Sequence, residues 1–352
     1  MIQGHALNVL LEPGFEEHPV FAAWLFLRGL TSCLFLFLSG FAFSVASDRH
    51  WDDYLRPSTR VFRRLGRFVF FLALGYLIRF PMGRFEHLKF ADEERWRSFL
   101  SVDILQVVAV SLLVLQALVA LTRQRGRFGV TCLGLASFVV LVTPITWSQT
   151  WASLPLWLAS FLTAETGSLF PFFPWAAFIF LGAAFGTGYA LYGRQLPLIG
   201  TVQRLTLIGS AALILGLMFH LVPLRPYGNL DFWRTSPNLF LIRFGSLLLV
   251  LAGMAYISRF VARLPAMLRA LAEESLTIYV VHVALLYGSL WNVGLGTRVG
   301  PQSLPRTIGW ILILWAAMTL LAWTWNRIKR IHPALTFAIR LVIAFLLIRP
   351  LV

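Results

Sequence analysis

Long apolar runs dominate the chain, and their lengths set its architecture. They occupy residues 24–46, 68–82, 100–121, 128–146, 173–191, 203–222, 238–256, 275–292, 307–325 and 335–348. Most approach the roughly 20 residues that a helix needs to cross about 30 Å of hydrocarbon, and an apolar opening of roughly 11 residues is about half a crossing. The pattern predicts an all-α, polytopic transmembrane helix bundle of about ten full spans plus a partial first helix. Two runs are weaker. The run at 68–82 ends near Arg79, which can snorkel, and the run at 335–348 is interrupted by Arg340 and reads equally as interfacial. Residues 154–162 are too short to cross and read as a re-entrant or interfacial piece of a loop. With no internal repeat, low-complexity tract or soluble domain, residues 1–352 are expected to form a single integral-membrane domain.

Charge adds an orientation. The 30 Lys+Arg residues exceed 15 Asp+Glu, giving a net charge of +15, and only Lys89 and Lys329 are lysines. The arginines cluster between apolar runs rather than on a soluble basic face, so a nucleic-acid partner is excluded. One alternating set of connections holds 17 Lys+Arg and the other holds 9. The richer set, including Arg49 to Arg67, is expected in the cytoplasm, with Glu12 to His18, Trp147 to Pro171 and Asn292 to Pro305 outside. Cys33 and Cys132 both lie inside apolar runs and read as buried small hydrophobes, not as a disulfide or a nucleophile. The opening MIQGHALNVLLEPGFEEHP shows neither a basic region nor a cleavage site, so no cleavable signal peptide is expected.

Candidate chemistry lies where polar side chains fall inside apolar runs. An ionisable group at membrane depth costs roughly 2 to 3 kcal/mol on insertion scales, and it usually faces a polar cavity. His282 sits within SLTIYVVHVALLYGSLW, and Ser275, Tyr279, His282 and Ser289 share one helical stripe that has to point inward. His5 and His18 lie towards the outer face, and either is placed to take a proton from an acceptor arriving there; as a solvated turn residue beside Pro19, His18 needs no such role. Asp103 and Gln106 share a face at the start of their span. Asp103 can orient a protonated imidazole or simply cap a helix, and Gln106 can donate to a carbonyl oxygen. Arg28 and Arg243 each lie about one turn into a span, where they snorkel or meet an anion. Arg63 and Arg64 belong to a basic stretch that satisfies the positive-inside rule and can also hold phosphates. Phe170 to Tyr189 combines Pro171 and Pro174 with the small residues Gly182, Ala183, Ala184, Gly186 and Gly188, which let helix backbones approach closely.

Five stretches, in order along most of the chain, carry a family resemblance: MIQGH, RGLTSCLFLFLSGFAFSVA, VDILQVVAVSLLVL, FPFFPWAAFIFLGAAFG and ESLTIYVVHVALLY. Together they resemble the membrane acetyltransferases of the heparan-alpha-glucosaminide N-acetyltransferase family and, more distantly, the acyltransferase 3 proteins. The resemblance implies a bundle of about eleven helices that takes an acetyl group from cytoplasmic acetyl-CoA, bound as a co-substrate, to a glycan or lipid-linked sugar at the outer face, without a metal. By position, His18 looks like the active-site histidine of the first family and His5 like the histidine ending the first helix in the second. Related proteins carry a basic residue and half a helix before the stretch matching MIQGH. The expected localisation is the bacterial inner membrane, and a homodimer is compatible with it.

The mechanism this implies is direct acyl transfer. His18 or His5 deprotonates the acceptor, Asp103 or Tyr279 orients the polar cluster, and Gln106 or His282 stabilises the oxyanion, with Arg243, Arg28, Arg63 and Arg64 as candidate ligands of acyl-CoA. An acyl-histidine intermediate is the rival route. Two other classes compete: a transporter or flippase lined by the same polar residues, and a catalytically inactive membrane scaffold.

Overall fold

The computed structural model describes residues 1–14, 19–80, 89–221, 232–261, 263–289 and 292–348. These residues are overwhelmingly helical, and the chain divides into two compact units, each assembled from separated segments. A terminal unit comprises Met1–Arg28, Leu77–Phe99 and Val261–Val352; a central unit comprises Gly29–Tyr76 and Leu100–Phe260.

The central unit is built from most of α2 (Pro19–Asp48) and α3 (Thr59–Ile78), with α5 (Ile104–Thr122), α6 (Arg125–Ser148), α7 (Leu156–Leu162), α8 (Phe172–Leu191), α9 (Leu198–Leu221) and α10 (Pro237–Ser258). The terminal unit holds α1 (Ile2–Leu10), most of α4 (Glu93–Leu100), α11 (Ala266–Glu273), α12 (Ser275–Tyr287), α13 (Leu295–Val299), α14 (Leu304–Ile331) and α15 (Pro333–Ile348). A two-residue antiparallel ladder, β1 (Gly288–Ser289) with β2 (Asn292–Val293), follows α12.

Seven described helices are long and apolar enough to cross a membrane: Ala23–Asp48 of α2, then α5, α6, α8, α9, α10 and α14. An eighth crossing arises if α11 and α12, bent by 70° at their junction, form one broken span. The difference from ten lies in two weak runs. The run at 68–82 forms the second half of α3, whose first half carries Arg60, Arg63, Arg64 and Arg67, and the helix stops at Ile78. The run at 335–348 lies in α15, of which 16 residues are described. Residues 154–162 yield the seven-residue α7.

Local chemistry fixes the helix ends. Asp103 caps α5 by accepting from Ile104 N at 2.7 Å, while Gln106 Oε1 accepts from Asp103 N at 3.2 Å, a capping box. Ser236 accepts from Asn238 N ahead of Pro237 at the start of α10. Within the helices, hydroxyls turn back on their own backbone: Ser47 donates to Phe43 O, Thr143 to Val139 O and Thr187 to Ala183 O. In hydrocarbon this local bond satisfies a hydroxyl that has no water to use.

Close backbone contact holds the central unit. A Cβ added to Gly40 would lie 1.9 Å from Ile179 O, and one added to Gly182 would lie 1.9 Å from Phe37 O, so α2 and α8 cross with their backbones touching. Ser44 Oγ adds a 2.8 Å bond to Ala183 O at the same crossing. A second crossing joins α9 to α10, where a Cβ on Gly245 would lie 2.5 Å from Gly209 O. Lipid tails are as apolar as leucine, so such close packing, and not hydrophobic burial, drives association between spans. The small residues Gly182, Ala183 and Gly186 of α8 serve the crossing with α2.

Gly182→Leu meets backbone that no rotamer change can move. It is expected to cost about 3 kcal/mol, the upper part of the range for overpacking. Gly134→Leu, at a helical glycine with nothing within 4 Å of an added Cβ, is expected to leave stability unchanged. Thermal unfolding of both purified variants in detergent measures the contrast.

Candidate active site

α12 positions the polar stripe, over a shorter length than the apolar run implies. The helix ends at Tyr287 because Gly288 adopts a φ of +89°; the Gly288 N–H donates to Ala284 O, and Asn292 Nδ2 adds a second bond to that carbonyl at 2.8 Å. Ser289 therefore lies in β1, off the helical stripe, and its hydroxyl bonds the Asn292 side chain. Ser275 is exposed. Tyr279, His282, Val283 and Leu286 make the inward face, with His282 at 0% exposure.

α1 packs against this face. Ala6 and Leu10 form a core with Leu286, Ile311 and Leu314. The end of α1 is pinned by backbone bonds, with Gln302 N donating to Leu10 O at 2.6 Å and Glu12 N donating to Gln302 O at 3.0 Å. This docking sets His5 beside α12. Its ring centroid lies 5.3 Å from that of His282, 6.4 Å from Tyr279 and 5.7 Å from Tyr287, and its Nδ1 shares a 3.2 Å hydrogen bond with the Tyr287 hydroxyl. His5, Tyr279, His282 and Tyr287 thus form one cluster in the terminal unit. Arg28, in the same unit, donates from Nη1 to Asn8 Oδ1 at 2.6 Å and lies across Gly4, so it braces α1 against α2. His18 lies outside the described residues.

The partner of His282 fixes its tautomer. Nδ1 stands 2.6 Å from Ile278 O, which can only accept, so the neutral ring carries its proton on Nδ1 and keeps a lone pair on Nε2. That Nε2 is buried and has no hydrogen-bond partner among the described residues. With this tautomer the neutral ring accepts a proton at Nε2; donating a hydrogen bond there takes the imidazolium.

Few buried polar atoms share that condition. Among the described residues they are Gln106 Nε2, Ser111 Oγ, Ser160 Oγ, Arg243 Nε and His282 Nε2. Buried donors and acceptors are almost always paired, so each exception calls for a reason. Three of the five belong to residues that sequence reasoning selects on other grounds. In the central unit, Gln106 rests on Gly75, while Asp103 and Gln106 bond each other's backbone as a cap. Arg243 reaches over the Trp175 ring at 5.7 Å and lies near Gly29. Arg64 has an internal role: its guanidinium stacks 3.5 Å from the Tyr54 ring and donates to Ser47 Oγ and Gln116 Oε1. Arg63 is exposed. The His220 ring centroid lies 4.5 Å from that of Phe232.

The model of one protein family, heparan-alpha-glucosaminide N-acetyltransferase, catalytic, matches residues 1–222. The chain belongs to that family. It is accordingly a multi-pass membrane protein and a transferase-type enzyme. The matched segment contains His5, Arg28, Arg63, Arg64, Asp103 and Gln106, whereas Arg243, Tyr279 and His282 lie beyond it. Neither a curated protein nor a solved structure matches the chain at a level that supports comparison. Among the described residues, no three of His, Cys, Asp and Glu are grouped to hold a metal ion.

Sequence reasoning misses Tyr287 and the elbow between α11 and α12. Tyr287 is five residues from His282, off the stripe, and meets His5 only because α1 docks at that end. At the elbow, Glu274 is 2% exposed, pairs with Lys329 and accepts from Asn326 Nδ2 at 3.1 Å, while Glu273 accepts from Asn326 and from Arg330 at 2.9 Å. The spacing Asn326, Lys329, Arg330 on one face of α14 is the sequence signal, visible only once α14 is known to pass the elbow.

Removing one partner of a buried ion pair strands the other charge. Glu274→Ala is expected to cost about 3 to 5 kcal/mol, and adding Lys329→Met to recover part of it. Thermal unfolding of the single and double variants reads the coupling.

Proposed function

We propose that this chain is an acyl-CoA-dependent membrane acetyltransferase that acetylates a hydroxyl or amine of a glycan or lipid-linked sugar at the outer face, with the His5 and His282 pair handling the acceptor's proton. One observation carries this reading: a buried imidazole, its tautomer fixed by a backbone carbonyl, offers an uncommitted lone pair within a cluster of His5, Tyr279 and Tyr287. A structural histidine at this depth would spend both ring nitrogens.

The acceptor's oxygen or nitrogen bonds to the thioester carbonyl carbon as its proton passes to imidazole. The carbonyl electron pair moves onto oxygen, then returns as the carbon–sulfur bond breaks. The departing thiolate takes the proton from imidazolium, leaving acetylated acceptor, free CoA and neutral histidine. The thioester is already activated, so the protein has to supply proton transfer, worth about 10²- to 10⁴-fold, and orientation of the two substrates. Tyr287 orients His5 through its hydroxyl, and Tyr279 walls the pair. By residue type, Arg243 and Gln106 are candidate donors to polar parts of acyl-CoA, and Arg63 is a candidate ligand for its phosphates. The positive-inside rule supports a cytoplasmic side for the arginine-rich connections, and our reading takes acyl-CoA from that side, in a bacterial inner membrane.

His5→Ala and His282→Ala are each expected to lower acetyl-CoA consumption about 10²- to 10⁴-fold in protein that still elutes as a single species. His18→Ala in the same assay separates the two positional candidates. Full turnover in both the His5 and His282 variants would end this reading. Solute movement without thioester loss would identify a transporter, and the absence of both activities from the wild-type chain an inactive scaffold.

A further inference from the structure

A feature of the central unit has no part in this chemistry. It is an apolar cavity of about 940 Å³, at the upper end of the size range of small-molecule sites. α6 lines it with Gly126, Gly129 and Leu133, and α9 with Thr201, Arg204 and Ile208, one helical stripe in each case. Apolar faces of α2, α8 and α10 complete it. All five of these helices have the length and apolarity of membrane spans. A cavity walled by spans lies where acyl chains are the surrounding solvent, so its natural occupant is an acyl chain.

Charge decides which amphiphile. Elsewhere in this unit, Arg125 and Arg194 both pair with Asp48, at 3.0 and 2.9 Å. Arg204 has no ion pair or hydrogen bond among the described residues, although it lines the cavity. It sits near the start of α9, one turn after Thr201, and the stripe becomes apolar at Leu205 and Ile208. A cation and a hydroxyl beside an apolar space match a phosphate joined to acyl chains, and a guanidinium holds phosphate through paired N–H bonds.

We propose that this cavity binds one anionic phospholipid, its acyl chains in the apolar space and its phosphate on Arg204 and Thr201. The site is independent of acyl transfer and would persist in an inactive protein.

The full chain in detergent, titrated with phosphatidylglycerol or with phosphatidylcholine of the same acyl chains, tests this by native mass spectrometry. The wild-type chain is expected to retain one phosphatidylglycerol with a preference of about fivefold, the effect of roughly one basic residue near an anionic membrane surface. Arg204→Gln should erase the preference without abolishing retention. Gly126→Leu and Gly188→Leu fill the cavity from positions where an added Cβ meets nothing within 4 Å, and should release both lipids. Equal retention of the two lipids by wild type, a preference intact in Arg204→Gln, or retention unchanged in both leucine variants would overturn the proposal. One-for-one displacement of phosphatidylglycerol by a long-chain acyl-CoA, abolished in the leucine variants, would also overturn it by making this a donor site. Should the leucine variants not fold, phosphatidylglycerol bearing a photoreactive acyl chain must label α8 or α10 in wild-type membranes, and labelling confined to other helices refutes the assignment.

Discussion

A bilayer interior offers a polar group no water, so every donor and acceptor at that depth must find its partner within the protein. The hydroxyls of Ser47, Thr143 and Thr187 turn back onto their own helices. Arg64 is spent on Tyr54, Ser47 and Gln116, and Glu274 on Lys329 and Asn326. Because this accounting is nearly complete among the described residues, the few uncommitted buried atoms stand out, and His282 Nε2, Gln106 Nε2 and Arg243 Nε are three of them. Family membership identifies a membrane transferase; this constraint selects which imidazole nitrogen is equipped to accept a proton.

The same constraint explains how far the sequence could be read. Seven spans were legible because an apolar run bounded by turn residues and arginines has one favourable solution in lipid. The runs at 68–82 and 335–348, weakened in the sequence by Arg79 and Arg340, do not yield described helices both long and apolar enough to cross. In the first, the helix starts nine residues upstream in an arginine-rich stretch and ends at Ile78, so its apolar half is too short to cross alone. In the second, only 16 helical residues are described. An apolar count cannot distinguish a span from an amphipathic helix whose other half is charged.

At the candidate site, His5, Tyr279 and His282 could be singled out from the sequence, whereas Tyr287 and the cluster's geometry could not. Asp103 and Gln106 lie three apart before an apolar run, a spacing that serves a capping box as well as a catalytic pair, and they do form the cap. Gln106 still keeps its Nε2 uncommitted, since the cap uses only its carbonyl oxygen. His282 was legible from depth alone, yet its tautomer depends on the rotamer that brings Nδ1 to Ile278 O. Ser289 was misplaced because its offset of 14 from Ser275 presumes an unbroken helix, and Gly288 breaks it. Tyr287 had no periodic signal at all, since its meeting with His5 depends on long-range docking of α1.

α12 shows what the broken geometry achieves. Its 13 residues rise about 20 Å at 1.5 Å per residue, well short of a hydrocarbon core of about 30 Å. Both ends are tied by polar contacts: the Glu274 elbow to α14 at one end, and Asn292 and the β1–β2 ladder at the other. A span that ran straight through would leave its ends free in the two interfaces and its rotation set by packing alone. A short helix clamped at both ends has its azimuth fixed, so His282 is aimed by the elbow, seven residues or about 10 Å before it, and by the Asn292 bond to Ala284 O, two residues after it. Polar helix ends at such depth are tolerated only where protein or a wet cavity satisfies them. Breaking the helix therefore fixes the position of the imidazole and keeps its polar ends within protein.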